Sequence, residues 1–283
     1  MKNITQILIL FLIIPGCQSF TPKPKEQISY IDSGKTTALC LDCKALKNLP
    51  KTIEHLEIED WKCKRIHGDV FQLPSLKRLI INCKKVDFPT QAPKDLLGIE
   101  KVSILSPILD SVPDFIYQAS NLRQLILFLR NDRNLSSKKM SLLNQATNIK
   151  IGIQRLEEIP NFVYELESLK ELIIFSNEYS QDIKLDDSLS RLQNLVVLEV
   201  PIDLGSHIDL LKSLSELRRL RVSSYLDLNY ESKSLEQLRT LEEICIENIP
   251  PEKKAVVREL LPNVKFICRD EHILPLNWTQ PHK

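Results

Sequence analysis

The chain has 283 residues, enough for one large domain or two small ones, and at 43% apolar it can bury a sizeable core. With 6 Gly and 16 Pro it is neither a flexible linker nor collagen-like. Its 38 basic and 37 acidic side chains leave a net charge of +1, not the basic excess with which a nucleic-acid binder displaces counterions from phosphates, so nucleic acid is not an expected partner.

The first segment reads as an address. Lys2 supplies a short basic start, and residues 7–14 (ILILFLII) are apolar throughout. This run is too short to span a bilayer, which needs about 20 residues, but it fits the apolar region of a secretory signal. Pro15, Gly16 and Cys17 follow at once. With Ile14 three residues before Cys17 and Gly16 directly before it, the segment resembles the lipobox of bacterial lipoproteins, although Pro15 departs from the usual small or hydroxyl residue. The resemblance implies removal of residues 1–16, a lipid on Cys17, and export to a bacterial membrane, with the outer membrane or cell surface as the expected location. An ordinary cleaved signal, with Cys17 incidental, is the competing reading. Residues 17–36 are polar after the first few and carry Pro22 and Pro24, as suits a tether.

From there a period in the low twenties fills the chain to residue 268. One unit runs Ile99, Val102, Ile104, Leu109, Val112, Pro113, Ile116, Ala119, and the next opens at Leu122, 23 residues on. A second runs Ala146, Ile149, Ile151, Leu156, Ile159, Pro160, Val163, Leu166, with its successor opening at Leu169. Each unit holds a pair of apolar residues separated by one. The pairs are Leu39/Leu41, Leu56/Ile58, Leu79/Ile81, Val102/Ile104, Leu125/Leu127, Ile149/Ile151, Leu172/Ile174, Leu198/Val200, Leu220/Val222, Ile244/Ile246 and Val264/Phe266. Such a pair makes a short strand with one face inward, and the later apolar residues at wider spacing suit a helical or 3-10 return. No unit can bury its own inward face, so the units must stack into a parallel sheet over one continuous core.

This pattern resembles the leucine-rich repeat. The resemblance implies an α/β solenoid of about eleven degenerate repeats over residues 37–268, followed by a tail at 269–283. It also implies a concave sheet that recognises a protein or peptide partner without catalysis. The family places Asn at the ninth position of the unit to satisfy turn backbone. Here that column reads Lys44, Trp61, Lys84, Pro107, Arg130, Gln154, Asn177, Asp203, Tyr225, Ile249 and Arg269, so only Asn177 conforms. Other groups or water must satisfy the remaining turns.

Six further cysteines remain. Cys40, Cys43, Cys63 and Cys83 crowd the N-terminal end, where cap disulfides, free buried thiols, or a zinc site of Cys40, Cys43, Cys63 and His67 are the options. Cys245 and Cys268 lie in adjacent units, but an apparent three-residue offset sets them too far apart to bridge. None of the five His falls in a nucleophile or metalloprotease arrangement, and no phosphate-binding glycine loop occurs, so neither enzyme chemistry nor a cofactor is expected.

Outward positions of the strands make up the candidate site. Leu105, Ile126, Phe128, Ile173 and Phe175 should cluster in the middle of the concave face, with charged residues toward both ends. A contiguous apolar patch with a polar rim is the signature of an interaction surface. A structural or assembly role in a cell envelope, with the same face packed on another subunit, is the alternative.

Overall fold

The computed structural model describes residues 28–30, 36–60, 62–89, 98–106, 109, 111–129, 143–153, 158–176, 183–224, 235–247, 249–266 and 268. Cys17, the segment expected to be a signal, and the tail at 269–283 lie outside them. Twelve strands form one sheet in sequential order: β1 (Ile28–Tyr30), β2 (Thr37–Cys40), β3 (His55–Glu59), β4 (Arg78–Asn82), β5 (Lys101–Ile104), β6 (Gln124–Leu129), β7 (Asn148–Ile153), β8 (Glu171–Ser176), β9 (Val197–Asp203), β10 (Arg219–Ser224), β11 (Glu243–Ile246) and β12 (Lys265–Phe266). From β2 onward all neighbours are parallel, which gives the eleven stacked units that the periodicity implies. The first strand runs antiparallel to β2, so part of the expected tether covers what would be an open sheet edge.

Return segments are mostly single 3-10 turns, at Cys43–Asn48, Gly68–Gln72, Asp114–Gln118, Asn161–Glu165 and Asp187–Arg191. Among the described residues two α-helices, α1 (Leu204–Leu211) and α2 (Pro251–Leu260), replace them near the C-terminal end. Local chemistry starts each turn. Asp42 and Asp186 cap by accepting the N–H two residues on, at 2.9 and 2.7 Å. Pro113 and Pro160 enter their turns at φ −61° and −58°, values to which the ring is already fixed. The turns then deliver Leu46, Phe71, Phe115, Phe162 and Leu189 into the core, where the Phe71 and Phe115 rings meet at 4.5 Å. No described helix is long and apolar enough to cross a membrane.

Turn backbone is satisfied by different groups from repeat to repeat. The Ser106 hydroxyl, fully buried, donates to the Lys84 carbonyl at 3.3 Å, and Thr147 does the same to Arg123 at 3.3 Å. His207 accepts the Leu185 N–H on Nε2 at 3.3 Å, which puts its proton on Nδ1, 3.0 Å from the Asp203 carbonyl. Asp60 accepts from the Cys43 and Lys62 N–H groups at 3.1 and 2.9 Å. Ser, Thr, His and Asp thus do locally what an Asn column does elsewhere.

Both ends correct the register read from the sequence. Ala38 and Cys40, not Leu39 and Leu41, pair with Leu56 and Ile58 and point inward at 0% exposure, while Leu41 is 41% exposed. Residues 38–41 are all apolar, so alternation cannot choose a face, and a slip of one residue exchanges the two. At the other end Ile244 pairs with Phe266 and not with Val264, so the last strand sits two residues from the register read from the sequence, and Cys268 beyond it is exposed. Val264, Phe266 and Cys268 are all apolar with a period of two, which leaves a two-residue shift open. That shift reverses the reading of Cys245 and Cys268: their offset falls to one residue, the Cα atoms stand 4.8 Å apart, and they form a disulfide.

At the N-terminal end Cys43 and Cys63 are bonded, with Cα atoms 5.6 Å apart, while Cys40 and Cys83 are free and buried. Burial pushes both free thiols up to about 11. Only Asp60 joins Cys43 and Cys63 as a potential metal ligand among the described residues, so Cys40 and His67 do not complete the four-ligand set considered from the sequence.

The register can be checked by substitution. Ala38→Glu, which buries an unpaired charge, should cost more than about 3 kcal/mol in urea denaturation, whereas Leu41→Glu should stay within about 0.5 kcal/mol. The opposite ranking would restore the register read from the sequence.

Candidate protein-binding face

Strand pairing aligns outward residues into continuous columns across the concave sheet. The central one runs Leu39, Glu57, Ile80, Ser103, Ile126, Lys150, Ile173, Glu199, Arg221, Cys245, each opposite the next. A parallel column passes through Phe128, Gly152 and Phe175. Leu105 lies just past β5, its N–H donated to the Ile81 carbonyl at 2.8 Å. The sequence-derived candidates therefore do come together, on β5, β6 and β8, in the middle of the arc. Leu105, Ile126, Phe128 and Phe175 are half-buried, apolar and accessible.

Ile173 differs from expectation: it faces the concave side but is only 1% exposed. Its column neighbours are Lys150 and Glu199, both half-buried, whose long side chains can cover a residue between them. Ile173 is thus a support beneath the surface, not a contact residue.

Gly152 explains the shape of the patch. A Cβ at this position would fall 2.2 Å from Phe128 Cε1 and 2.4 Å from Cδ1, so the Phe128 ring occupies the space above Gly152. Any side chain there would displace the ring. The sequence reading put Gly152 in the outward column without seeing this role. Its signal was a glycine one repeat from each of two phenylalanines, on strands about 4.8 Å apart.

A charged network borders the apolar group. Lys150 Nζ pairs with Glu171 Oε1 at 2.9 Å, and Glu171 also accepts a short bond from Asn148 Nδ2. Farther along, Arg221 pairs with Glu247 at 3.0 Å and Arg219 with Glu243 at 2.5 Å. Between these pairs sits Glu199, whose Oε2 is buried with no hydrogen-bond partner among the described residues. Burial holds its carboxyl above the ordinary range, against the opposing pull of Arg221 and Lys150. Glu57, toward the other end, is also raised, by burial and then by the Glu59 charge.

These features define the class: a leucine-rich-repeat solenoid of about eleven repeats with an amphipathic concave face. Solved structures share the fold at low identity. An internalin from Listeria monocytogenes matches at 15% identity and a TM-score of 0.50, over 80% of this chain and 69% of that one. Human 5T4, also named Wnt-activated inhibitory factor 1 or trophoblast glycoprotein, matches at 14% and 0.50, over 79% and 80%. No protein-family model matches the chain, and comparison with curated proteins finds no relative.

Glu199 makes the stability of this face depend on pH. Because its folded-state pKa lies above the ordinary 4.5, its favourable contribution is complete below that value and is lost as pH rises through the folded value. Glu199→Gln should therefore leave the urea midpoint nearly unchanged at pH 4 and raise it at pH 7. A midpoint lowered at pH 7 would mean that attraction to Arg221 and Lys150 outweighs burial.

Proposed function

We propose that this protein is a non-catalytic scaffold that binds a protein or peptide through the middle of its concave sheet. The observation that carries this reading is the half-buried group of Leu105, Ile126, Phe128 and Phe175, set among ion-paired charges. Accessible apolar and aromatic side chains within a polar rim bury area when a partner docks, while the rim fixes its orientation. The phenylalanines are the anchors, and Gly152 sets the position of one of them. We further propose that the mature chain begins at Cys17 and is held by lipid at a bacterial membrane, facing outward. Support for this comes from the basic start, the apolar run and the Ile14-Pro15-Gly16-Cys17 sequence.

Peptides selected from a random library against the immobilised chain should supply a probe for calorimetry. Phe128→Glu and Phe175→Glu are each expected to weaken the selected peptide at least tenfold, about 1.4 kcal/mol, with an unchanged circular dichroism spectrum. Gly152→Ala should weaken it similarly by moving the Phe128 ring. Peptides that bind all three variants as well as the parent would refute the concave site. Variants that unfold would instead show these residues to be core.

The anchor has its own test. Protein extracted from membranes of the native bacterium should have the mass of residues 17–283 plus acyl chains, and proteolysis of intact cells should remove it. An unacylated mass, or protection in intact cells, would overturn outward lipid anchoring.

A further inference from the structure

Away from the concave sheet, at the N-terminal end, the 3-10 turn Cys43–Asn48 and the segment from Arg65 to Gly68 in the next repeat bound a hollow of about 430 Å³. Lys44, Lys47, Arg65 and His67 line it, and Pro89 gives it an apolar side, with Ile66 buried behind. The Lys44, Lys47 and Arg65 side chains are exposed, and none meets a carboxylate within ion-pairing distance among the described residues. The remaining basic side chain of the lining, His67, has its Nδ1 3.0 Å from Asp69 Oδ2. In a chain of net charge +1, three uncompensated cations around one hollow are a local concentration and not a general excess.

The walls are also held together. The Cys43–Cys63 disulfide joins the residue beside Lys44 to the residue two before Arg65, and Asp60 fastens the Cys43 N–H at 3.1 Å. The tie holds the backbone from which the exposed side chains extend, so the backbone need not rearrange to gather them around an anion. A volume of about 430 Å³ lies within the ordinary range for small-ligand sites and exceeds what a bare phosphate fills. The half-buried Pro89 suits a carbon portion beside the charge.

We propose that this hollow binds a phosphate monoester, with Lys44, Lys47 and Arg65 on the phosphate oxygens and the carbon portion against Pro89. A dianionic ester brings the charge density and acceptor oxygens that such a cluster lacks. The carrier is a sugar phosphate or a glycerol phosphate, and both present the same terminal group.

Titration of the isotope-labelled full chain with glucose 6-phosphate and with glycerol 3-phosphate would test the site, following the amides of residues 66–69. Sodium chloride at matched ionic strength is the control. Saturating shifts are expected with at least one ester, and the tighter of the two identifies the carrier. Lys44→Ala with Arg65→Ala should weaken binding at least tenfold. Gly68→Leu is an independent check that removes no charge: a Cβ at Gly68 meets nothing within 4 Å, so the fold should tolerate the leucine while its side chain blocks the hollow. Shifts no larger than those from sodium chloride would overturn the proposal, as would shifts that survive both the double variant and Gly68→Leu.

Discussion

A strand of a few residues with one apolar face has nothing inside its own repeat to bury that face against, and the rest of this structure follows from that shortage. Inward positions must be apolar at the same height in every repeat, which produces the column Leu79, Val102, Leu125, Ile149, Leu172, Leu198, Leu220, Ile244. Stability then resides mainly at the boundaries between repeats. A middle repeat has two such boundaries and a terminal one has a single boundary. The disulfides fall where the deficit is: Cys43–Cys63 joins the first two repeats, and Cys245–Cys268 joins the last two. For closed loops of 20 and 23 residues the chain-entropy account gives each about 3 kcal/mol, which offsets part of what a terminal repeat lacks.

The middle of the solenoid was legible in the sequence because its physics is strict. From Leu56 to Ile246 every inward pair read from the spacing is the pair the sheet uses, since a polar residue there would be buried without a partner. The ends were not legible, because the same strictness is absent. At residues 38–41 both faces of the strand are apolar, one covered by the core and the other partly by its surroundings, so composition no longer distinguishes them. Pairing with β3 decides, and pairing is a long-range fact that a local pattern does not contain. The misjudged Cys245–Cys268 pair was a consequence of the same ambiguity.

On the concave face the sequence located the columns but not their depth. Alternation says which side a residue points to, yet burial depends on the length of its neighbours. Ile126 and Ile173 occupy the same column and differ in what flanks them: Ser103 and Lys150 for the first, Lys150 and Glu199 for the second. A short serine leaves Ile126 accessible, whereas two long side chains enclose Ile173. Reading across repeats at a spacing of 22–26 residues, and not along the strand, is what would have shown this.

The same cross-strand geometry decides what the face can grip. Neighbouring strands stand about 4.8 Å apart, closer than an aromatic ring is wide, so phenylalanines on adjacent strands would have to stand upright against each other. Placing Gly152 between Phe128 and Phe175 removes that constraint, and the Phe128 ring lies over the vacant position. A ring laid over backbone turns one face outward, without any change in the strands that carry it. Lys150 meanwhile sits beside the patch with its charge already held by Glu171, so a docking partner need not strip water from an unpaired ammonium group. On the proposed reading, such a contact would suit an apolar or aromatic side chain of a partner, and charges on that partner would act through the rim pairs to set its direction along the arc.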